Sequence, residues 1–328
     1  MYNQFFGLNK PPFNMTPDPA LLFMPPQHRE ALAGLTYAIL NRKGFAVLIG
    51  DAGTGKTTLL GRTLQYLQQT TIRSSVILNP TLTAEEFLEM ALLGFGISAI
   101  PRSKALRLTA LQKMLAEEHA AGRVTVLIID EAHKLSPALL EEVRLLSNFE
   151  LADQKLLQIV LLGQNELGAV LNDDRLRQLK QRIATRLAIG PLAKGEVEQY
   201  IRYRWTKCGG SAALPFPSDA IEAIAAWSNG IPRLINAICD NALTSAFAKG
   251  ARSVQTSDIM EVARDLDLRR PTVQAVRFEP AGMAAALPGS EIGRVRVLDP
   301  RQGEAAHPSL LAKVGRKLGL TGWSREYE

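Results

Sequence analysis

The stretch GFAVLIGDAGTGKTTLL at residues 44–60 decides the fold. It opens with a short apolar run that is typical of a strand buried in a parallel sheet. The run from Gly50 to Thr57 then matches the pattern G-x-x-x-x-G-K-[ST], and a helix is expected to follow it. Glycines at these positions let backbone N–H groups curl around phosphates at a helix N-terminus. The stretch therefore predicts a P-loop nucleotide-binding domain.

Each part of this loop has a predicted role toward a bound nucleotide. Lys56 would reach the terminal phosphates, and Thr57 would place its hydroxyl on Mg²⁺, an ion that keeps most of its waters and needs few protein ligands. The predicted cofactors are accordingly ATP and Mg²⁺. The predicted nucleotide-binding residues of the loop are Gly50, Asp51, Ala52, Gly53, Thr54, Gly55, Lys56, Thr57 and Thr58.

A second acidic motif, VLIIDEAH at residues 126–133, follows another apolar run. Asp130 is predicted to hold the Mg²⁺ shell, and Glu131 to be the general base that orients and polarises the attacking water. An acidic pair in this place is also typical of the solvated end of a strand. With a P-loop upstream the catalytic interpretation is favoured, and a Glu directly after the Asp favours hydrolysis over nucleotide binding alone.

Strands alternate with helices on either side of these motifs, which predicts an α/β domain with a parallel sheet over residues 27–191. After Pro191 the strand pattern stops, and a small all-α lid domain is expected over residues 192–268. The predicted strands are 44–50, 74–79, 124–130 and 156–163. The predicted helices are 27–41, 57–69, 83–93, 105–120, 137–149, 194–207, 218–228, 231–249 and 256–266.

The two ends of the chain differ from this pattern. Residues 1–26 are rich in Pro, Phe and Asn, and we expect an irregular segment that its aromatic side chains pin to a domain. Residues 269–328 are rich in Pro, Gly, Ala and Arg, and we expect a flexible, mostly disordered tail. Within it, residues 309–320 are expected to form a basic amphipathic helix, with weak contact to a membrane surface through residues 309–323. A solvated tail is the alternative.

Composition limits the class of protein further. The chain of 328 residues carries a formal net charge of +6, which permits contact with nucleic acid or an anionic membrane but requires neither. No run reaches the roughly 18 apolar residues that span a bilayer, and the N-terminus does not resemble a signal peptide. The two cysteines lack metal-ligand spacing. These features favour a cytoplasmic location.

Several further segments resemble AAA+ ATPases of the ExeA type, also called general secretion pathway A, which accompany secretion and exopolysaccharide export systems. The resemblance covers residues 1 to about 268. It is carried, beside the P-loop stretch, by FFGLNKPPFNMTPDPALLF (5–23), HREALAGLTYAI (28–39), LIIDEAHKLS (127–136), LLGQNEL (161–167) and GIPRLIN (230–236).

The resemblance implies roles for five more residues. Gln164 or Asn165 looks like the sensor 1 residue that would watch the γ-phosphate and the water, and Arg233 looks like sensor 2 on the lid. Arg182 and Arg186, on an expected basic helix at 175–186, are similar to arginine fingers that act on a neighbouring subunit's ATP. Fingers of this kind require a homo-oligomer, either a ring or a filament. A solvated or salt-bridged helix is the alternative for this segment.

For function, the resemblance implies an ATP-hydrolysing assembly or regulatory factor for an envelope secretion or export system, working with that system's protein partners. A DNA-associated AAA+ ATPase of the transposition-regulator kind is the alternative, and a nucleotide-gated scaffold without turnover is disfavoured by Glu131. The best-known members carry a transmembrane segment and a periplasmic domain after the ATPase, and residues 270–328 are expected to supply neither. The expected location is cytoplasmic, with peripheral contact at the inner membrane as a variant of it.

Overall fold

Five parallel strands form the centre of the structure, which is a computed structural model describing residues 2–67, 72–152 and 154–268. The strand order is β2-β3-β4-β1-β5, and every neighbouring pair is parallel. The expected tail at 269–328, with its basic helix, lies outside the described residues. The strands are β1 (Phe45–Ile49), β2 (Ile72–Ile77), β3 (Val124–Ile129), β4 (Leu157–Gly163) and β5 (Ile183–Ala188).

Helices connect and cover these strands, and none in the described part of the chain is long and apolar enough to cross a bilayer. Polar caps fix where several of them begin. Thr83 and Glu86 form a reciprocal capping box on α4, and Ser103 caps α5. The first eight helices are α1 (Tyr2–Phe6), α2 (Pro26–Leu40), α3 (Lys56–Leu67), α4 (Ala84–Gly94), α5 (Lys104–Ala120), α6 (Pro137–Leu146), α7 (Asn165–Leu171) and α8 (Arg177–Lys180). The last four are α9 (Lys194–Lys207), α10 (Ser218–Ser228), α11 (Pro232–Ala248) and α12 (Thr256–Asp265).

The sheet is a buried layer between two groups of helices. Strands β1, β3 and β4 are buried along their whole length, which is why their sequences are continuous apolar runs. Successive side chains face opposite sides, so Val47 lies in the core beneath α4 to α8, and Leu48 lies in the core beneath α2 and α3. The predicted α/β fold with a parallel sheet is confirmed.

The segment at 175–186 differs from the expected basic helix. A short 3-10 turn (Asp174–Leu176) and the four-residue α8 are followed by strand β5, which contains Arg186. β5 pairs only with β1 among the described strands, and its residues alternate between half-buried and exposed. An edge strand of this kind has no continuous apolar run. The apolar pattern that predicted the other four strands therefore did not predict β5.

The last four helices, α9 to α12, form a group that we call the lid, with a core of its own. The N-terminal segment (residues 2–23) contributes Leu8 and Phe13 to that core. The Phe5 ring packs edge-on against Phe247 of α11, and the segment begins with the short helix α1 instead of being irregular throughout. Further along, Pro19 packs against Gly61 of α3. The segment therefore contacts both the lid and the helix that follows the P-loop.

A buried carboxylate fastens the outer part of the sheet. Glu118 at the end of α5 accepts hydrogen bonds from Arg73 Nη1 of β2 at 2.8 Å and from Arg123 Nη2, just before β3, at 2.8 Å. Its side chain is 5% exposed. These guanidinium groups, Arg123 foremost, lower the pKa of Glu118 from 4.5 to about 2.

Glu118→Gln is expected to lower the free energy of unfolding by about 3 kcal/mol at neutral pH, since one pKa unit corresponds to about 1.4 kcal/mol. Because the pKa of Glu118 is depressed in the folded state, this stabilisation is present above pH 4.5 and is lost as the pH falls from 4.5 toward about 2. Urea unfolding of both proteins over this range checks the prediction. Glu117→Gln is the control, because Glu117 is 63% exposed and its loss is expected to cost less than about 0.5 kcal/mol. Equal losses in the two variants would contradict the assignment.

Candidate functional site

The glycine-rich loop connects the carboxyl end of β1 to the first turn of α3. Gly53 and Gly55 have φ angles of +80° and +101°, where any other residue would be strained. The buried Thr54 closes the loop from within, because its hydroxyl donates to the Asp51 carbonyl at 2.8 Å. The loop is thus shaped by glycine conformations at Gly53 and Gly55, of which the sequence pattern requires Gly55.

Lys56 lies inside this loop and is 5% exposed. Its ammonium donates to the Gly50 carbonyl at 2.7 Å and to the Asp51 carbonyl at 2.9 Å. Burial lowers the pKa of Lys56, while the nearby carboxylates of Glu131 and Asp130 act in the opposite direction. A buried ammonium held only by carbonyls would gain strongly from an added anion such as a phosphate.

The two predicted Mg²⁺ ligands meet although 72 residues lie between them in the chain. The Thr57 hydroxyl donates to Asp130 Oδ2 at 2.8 Å, and Asp130 is 4% exposed. One hydroxyl and one carboxylate are hard oxygen donors, which suits an ion that keeps most of its waters. No cluster of three or more His, Cys, Asp or Glu with metal-site geometry occurs among the described residues. The pair fits an ion that arrives with a nucleotide.

Glu131 has a strained backbone in the left-handed region, with a φ of +53°. Its N–H donates to Asp130 Oδ1 at 2.8 Å, which fixes the turn after β3. Its carboxylate is 32% exposed and lies 3.5 Å from His133 Nε2 and 3.4 Å from Lys134 Nζ. A strained, partly exposed carboxylate at a strand end is free to face a reacting water.

The residues after β4 lie close to Glu131 and the glycine-rich loop. Gln164 lines the cavity together with Glu131, and it also contacts His133. Asn165 begins α7, and its side-chain amide donates to the Asp51 carboxylate of the loop. Parallel strands bring their carboxyl ends to one edge of the sheet, which is why three motifs far apart in sequence converge. The roles given to Gln164 and Asn165 remain predictions.

The lid touches the loop through the GIPR motif. The Arg233 N–H donates to the Gly53 carbonyl at 3.2 Å, and a methyl group added at Gly53 would lie 2.7 Å from Arg233 Cβ. Gly230 has a φ of +71° and its carbonyl accepts from Leu192 N–H at 2.8 Å. Arg233 lines the cavity, so the predicted sensor 2 residue is within the site.

A cavity of about 420 Å³ is lined by the loop, the lid and the N-terminal segment. Its size is in the range usual for ligand sites. Residues 52–58 of the loop line it. So do residues 14–18 of the N-terminal segment and Tyr200, Arg204 and Asn236 of the lid. The cavity therefore brings the glycine-rich loop together with polar and aromatic groups from two other parts of the chain.

Four functional candidates in and around this cavity were missed by sequence reasoning: His28, His133, Tyr200 and Arg204. Arg204 is 6% exposed and its guanidinium bonds to the Pro12 carbonyl at 2.6 Å and the Tyr200 hydroxyl at 3.3 Å. His28 is 3% exposed, and its Nε2 lies 3.0 Å from the Thr54 carbonyl. Burial lowers the pKa of His28. Two of the four lie in motifs that the sequence shows, His28 in HREALAGLTYAI and His133 in LIIDEAHKLS.

The two predicted arginine fingers do not line this cavity. Arg182 is half-buried between α8 and β5, and its Nη1 donates to Ser147 Oγ at 2.7 Å. Arg186 is exposed on β5, and its Nη2 donates to the Gly168 carbonyl at 3.4 Å. Their role as fingers remains a prediction.

The fold and the site define a P-loop module of the AAA+ class, and residues 39–171 match the AAA domain family. More particularly, the chain is similar to general secretion pathway protein A of Aeromonas hydrophila, with 40% identity over 297 residues. The match covers 88% of this chain and 52% of that protein, so the chain spans about half the length of this relative. The resemblance drawn from the sequence motifs is confirmed.

Solved structures share the fold at lower identity. Cdc6p from Pyrobaculum aerophilum has a TM-score of 0.60 and 20% identity, over 76% of this chain and 71% of that one. The Aeropyrum pernix ORC2 protein, solved as ADPNP–ADP complexes, has a TM-score of 0.57 and 15% identity, over 78% and 72%. Structural similarity at identities this low shows a shared fold and nothing about partners.

Proposed function

We propose that the chain binds and hydrolyses ATP with Mg²⁺ and acts as an assembly or regulatory factor for an envelope secretion or export system. One observation carries the catalytic part of the proposal. Thr57, which lines the cavity together with Lys56 and Glu131, donates its hydroxyl to Asp130 Oδ2 at 2.8 Å. This is the complement of groups that phosphoryl transfer to water requires.

In the proposed mechanism, the N–H groups of residues 50–57 cradle the phosphates at the N-terminus of α3. Lys56 leaves the carbonyls of Gly50 and Asp51 and turns to the phosphate oxygens. Thr57 and Asp130 would hold Mg²⁺, which would neutralise charge on the phosphates. Glu131 orients a water molecule and accepts its proton as that water attacks the γ-phosphorus, while the bond from this phosphorus to the bridging oxygen breaks and ADP leaves. Gln164 lies beside Glu131 and is favoured over Asn165 as the residue that would sense the γ-phosphate.

We divide the chain into an N-terminal segment (1–26), an α/β domain (27–191) and a lid (192–268). In this mechanism the lid closes over the bound nucleotide. Arg233 stands at the junction of the lid and the P-loop, where a planar cation can bind phosphoryl oxygens. The nucleoside would occupy the part of the cavity lined by residues 14–18 and by Tyr200, Arg204 and Asn236. Nucleotide binding would then join all three parts.

The export role rests on similarity to general secretion pathway protein A and on the motifs shared with ExeA-type ATPases. The proposed partners are proteins of such a system, and the proposed location is the cytoplasm, with a peripheral variant at the inner membrane. The proposed weak membrane contact through 309–323 concerns residues outside the described part of the chain. Because the chain spans about half of that relative, a shared activity in export is part of this proposal.

We also propose a homo-oligomer in which Arg182, with Arg186 as the alternative, completes a neighbour's site. Both lie outside their own cavity, and they follow α8 near the edge strand β5. Arg182→Ala is expected to lower ATP turnover about tenfold or more, because a finger stabilises charge that develops in the transition state.

Mixing restores activity if the finger acts in trans. An equimolar mixture of Arg182→Ala and Glu131→Gln should recover up to about a quarter of wild-type turnover, because random assembly pairs an intact site with an intact finger at that frequency. Arg175→Ala is the matched control, since Arg175 is in the same basic segment, is 78% exposed and pairs with Asp173. A mixture no more active than its two components would contradict the finger assignment.

The experiment that tests the proposed function is steady-state ATP turnover of the purified chain with Mg²⁺, measured alone, with anionic liposomes and with double-stranded DNA. Turnover that is stimulated by liposomes, or that is indifferent to DNA, supports the export-system ATPase. Stimulation by DNA would replace it with the DNA-associated alternative. Turnover no higher than that of a Lys56→Ala variant under all conditions would contradict hydrolysis itself.

A further inference from the structure

His133 lies between the two strand ends that carry the predicted catalytic residues. It belongs to the 3-10 turn Ala132–Lys134 after β3, and its side chain is 13% exposed. The Gln164 N–H, at the end of β4, points to His133 Nδ1 at 3.4 Å. His133 Nε2 lies 3.5 Å from Glu131 Oε2 and 3.4 Å from the Gln164 side-chain amide. One imidazole therefore touches both Glu131 and Gln164.

The hydrogen on the imidazole can be placed from these contacts. A backbone N–H can only donate, so Nδ1 of His133 accepts from Gln164 and carries a lone pair. In the neutral ring the hydrogen is then on Nε2. This Nε2–H has two acceptors within reach, the Glu131 carboxylate and, after rotation of its amide, the Gln164 side-chain oxygen. Both contacts are longer than an ideal hydrogen bond, so a small shift decides which of them forms.

The ion pair with Lys134, the second contact of the Glu131 carboxylate, does not fix the orientation of that carboxylate. Lys134 Nζ lies at 3.4 Å, but its side chain is 51% exposed, and an exposed ion pair of this kind contributes little. The His133 side chain is 13% exposed, and its far nitrogen, Nδ1, accepts from the Gln164 backbone N–H. It is therefore the group that can fix the direction of the Glu131 carboxylate relative to Gln164.

We infer that His133 is a positioning residue that holds Glu131 and Gln164 as one unit through its Nε2–H, so that contact of Gln164 with a γ-phosphate changes the orientation of the general base. This inference rests on the proposed ATP hydrolysis. His133 contacts no nucleotide in this scheme, and its effect is exerted on kcat, with ATP affinity unchanged. Nothing in the P-loop or the metal-ligand pair depends on it.

Two isosteric variants separate the two ends of the ring. In His133→Gln the side-chain amide falls where Nε2 was and can donate to Glu131, whereas in His133→Asn it falls where Nδ1 was and can accept from Gln164. His133→Ala and His133→Asn are expected to lower kcat about 10- to 100-fold, the usual cost of losing a positioning partner. His133→Gln should stay within about threefold of wild type. ATP Kd should change less than about threefold in all three.

Lys134→Ala is the matched control, because Lys134 is one residue away, contacts the same Glu131 oxygen and is exposed. It should leave kcat within about twofold. A double-mutant cycle adds a readout that a packing role would not move. In a Glu131→Gln background, His133→Ala should cause less than about a twofold further loss, because it acts through Glu131.

These measurements test the inference and the proposed function separately. Wild-type turnover absent altogether would overturn the hydrolysis proposal and this inference with it. Wild-type turnover together with an unimpaired His133→Ala variant, or with losses that multiply in the double variant, would overturn the inference alone. An imidazole nitrogen NMR spectrum gives a reading that needs no turnover: the Nε2–H form of His133 is expected, and the Nδ1–H form would overturn the inference.

Discussion

Lys56→Ala is expected to raise the Kd for ATP by about 100-fold or more. The Lys56 ammonium would form two charge-assisted hydrogen bonds to the phosphates, each worth about 1.5–3 kcal/mol, and 1.4 kcal/mol is a factor of ten in Kd. In the structure this ammonium is buried and held by the carbonyls of Gly50 and Asp51. The ammonium therefore does not have to break an ion pair before it binds a phosphate.

Calorimetric titration with ATP and Mg²⁺ measures this effect, and the rise in melting temperature on adding ATP gives a second reading. Lys113→Ala is the control, because Lys113 is 79% exposed on α5 and is expected to bind ATP like the wild type. The melting temperature without nucleotide must stay close to that of the wild type for the comparison to hold. ATP binding retained within about threefold by a folded Lys56→Ala protein would contradict the phosphate role.

The elements that the sequence predicts well are those whose pattern is local. β1, β3 and β4 are buried on both faces, so their apolar runs mark them without reference to the rest of the fold. The lid helices were expected within one or two residues of where they lie, because their apolar residues recur with helical spacing. β5 was not predicted, because its exposed arginine and its alternating burial at the sheet edge do not resemble a buried strand.

The same distinction applies to the site. Thr57 and Asp130 could be predicted to meet, because the loop pattern fixes one and the rule for parallel strands fixes the other. Arg204 could not be recognised, since an arginine on a helix is usually solvated and only packing against the N-terminal segment buries it. His133 was visible in the motif, but its contact with Gln164 depends on how β3 and β4 are paired. Contacts that depend on tertiary packing leave no local signal.

Glu131→Gln is expected to lower kcat by about 10²- to 10⁴-fold, the range that a general base contributes. The change keeps the size and shape of the side chain and removes its ability to accept a proton. ATP affinity should be kept or increased, because the phosphates are held by the loop and Lys56, and because one negative charge near them is removed. Of the nearby charges that favour the protonated form of Lys56, Glu131 is the strongest, and its loss further lowers the pKa of Lys56.

Single-turnover hydrolysis and ATP titration of the same protein separate these two effects. Glu166→Gln is a demanding control, because Glu166 is exposed in the first turn of α7 and its charge also acts on Lys56, yet it has no assigned part in proton transfer. A loss of kcat confined to Glu131→Gln therefore identifies a base, whereas equal losses in both variants would identify a general effect of charge on Lys56. Turnover within about threefold of wild type in Glu131→Gln would show that another group accepts the proton, and the catalytic assignment built on the turn after β3 would fall.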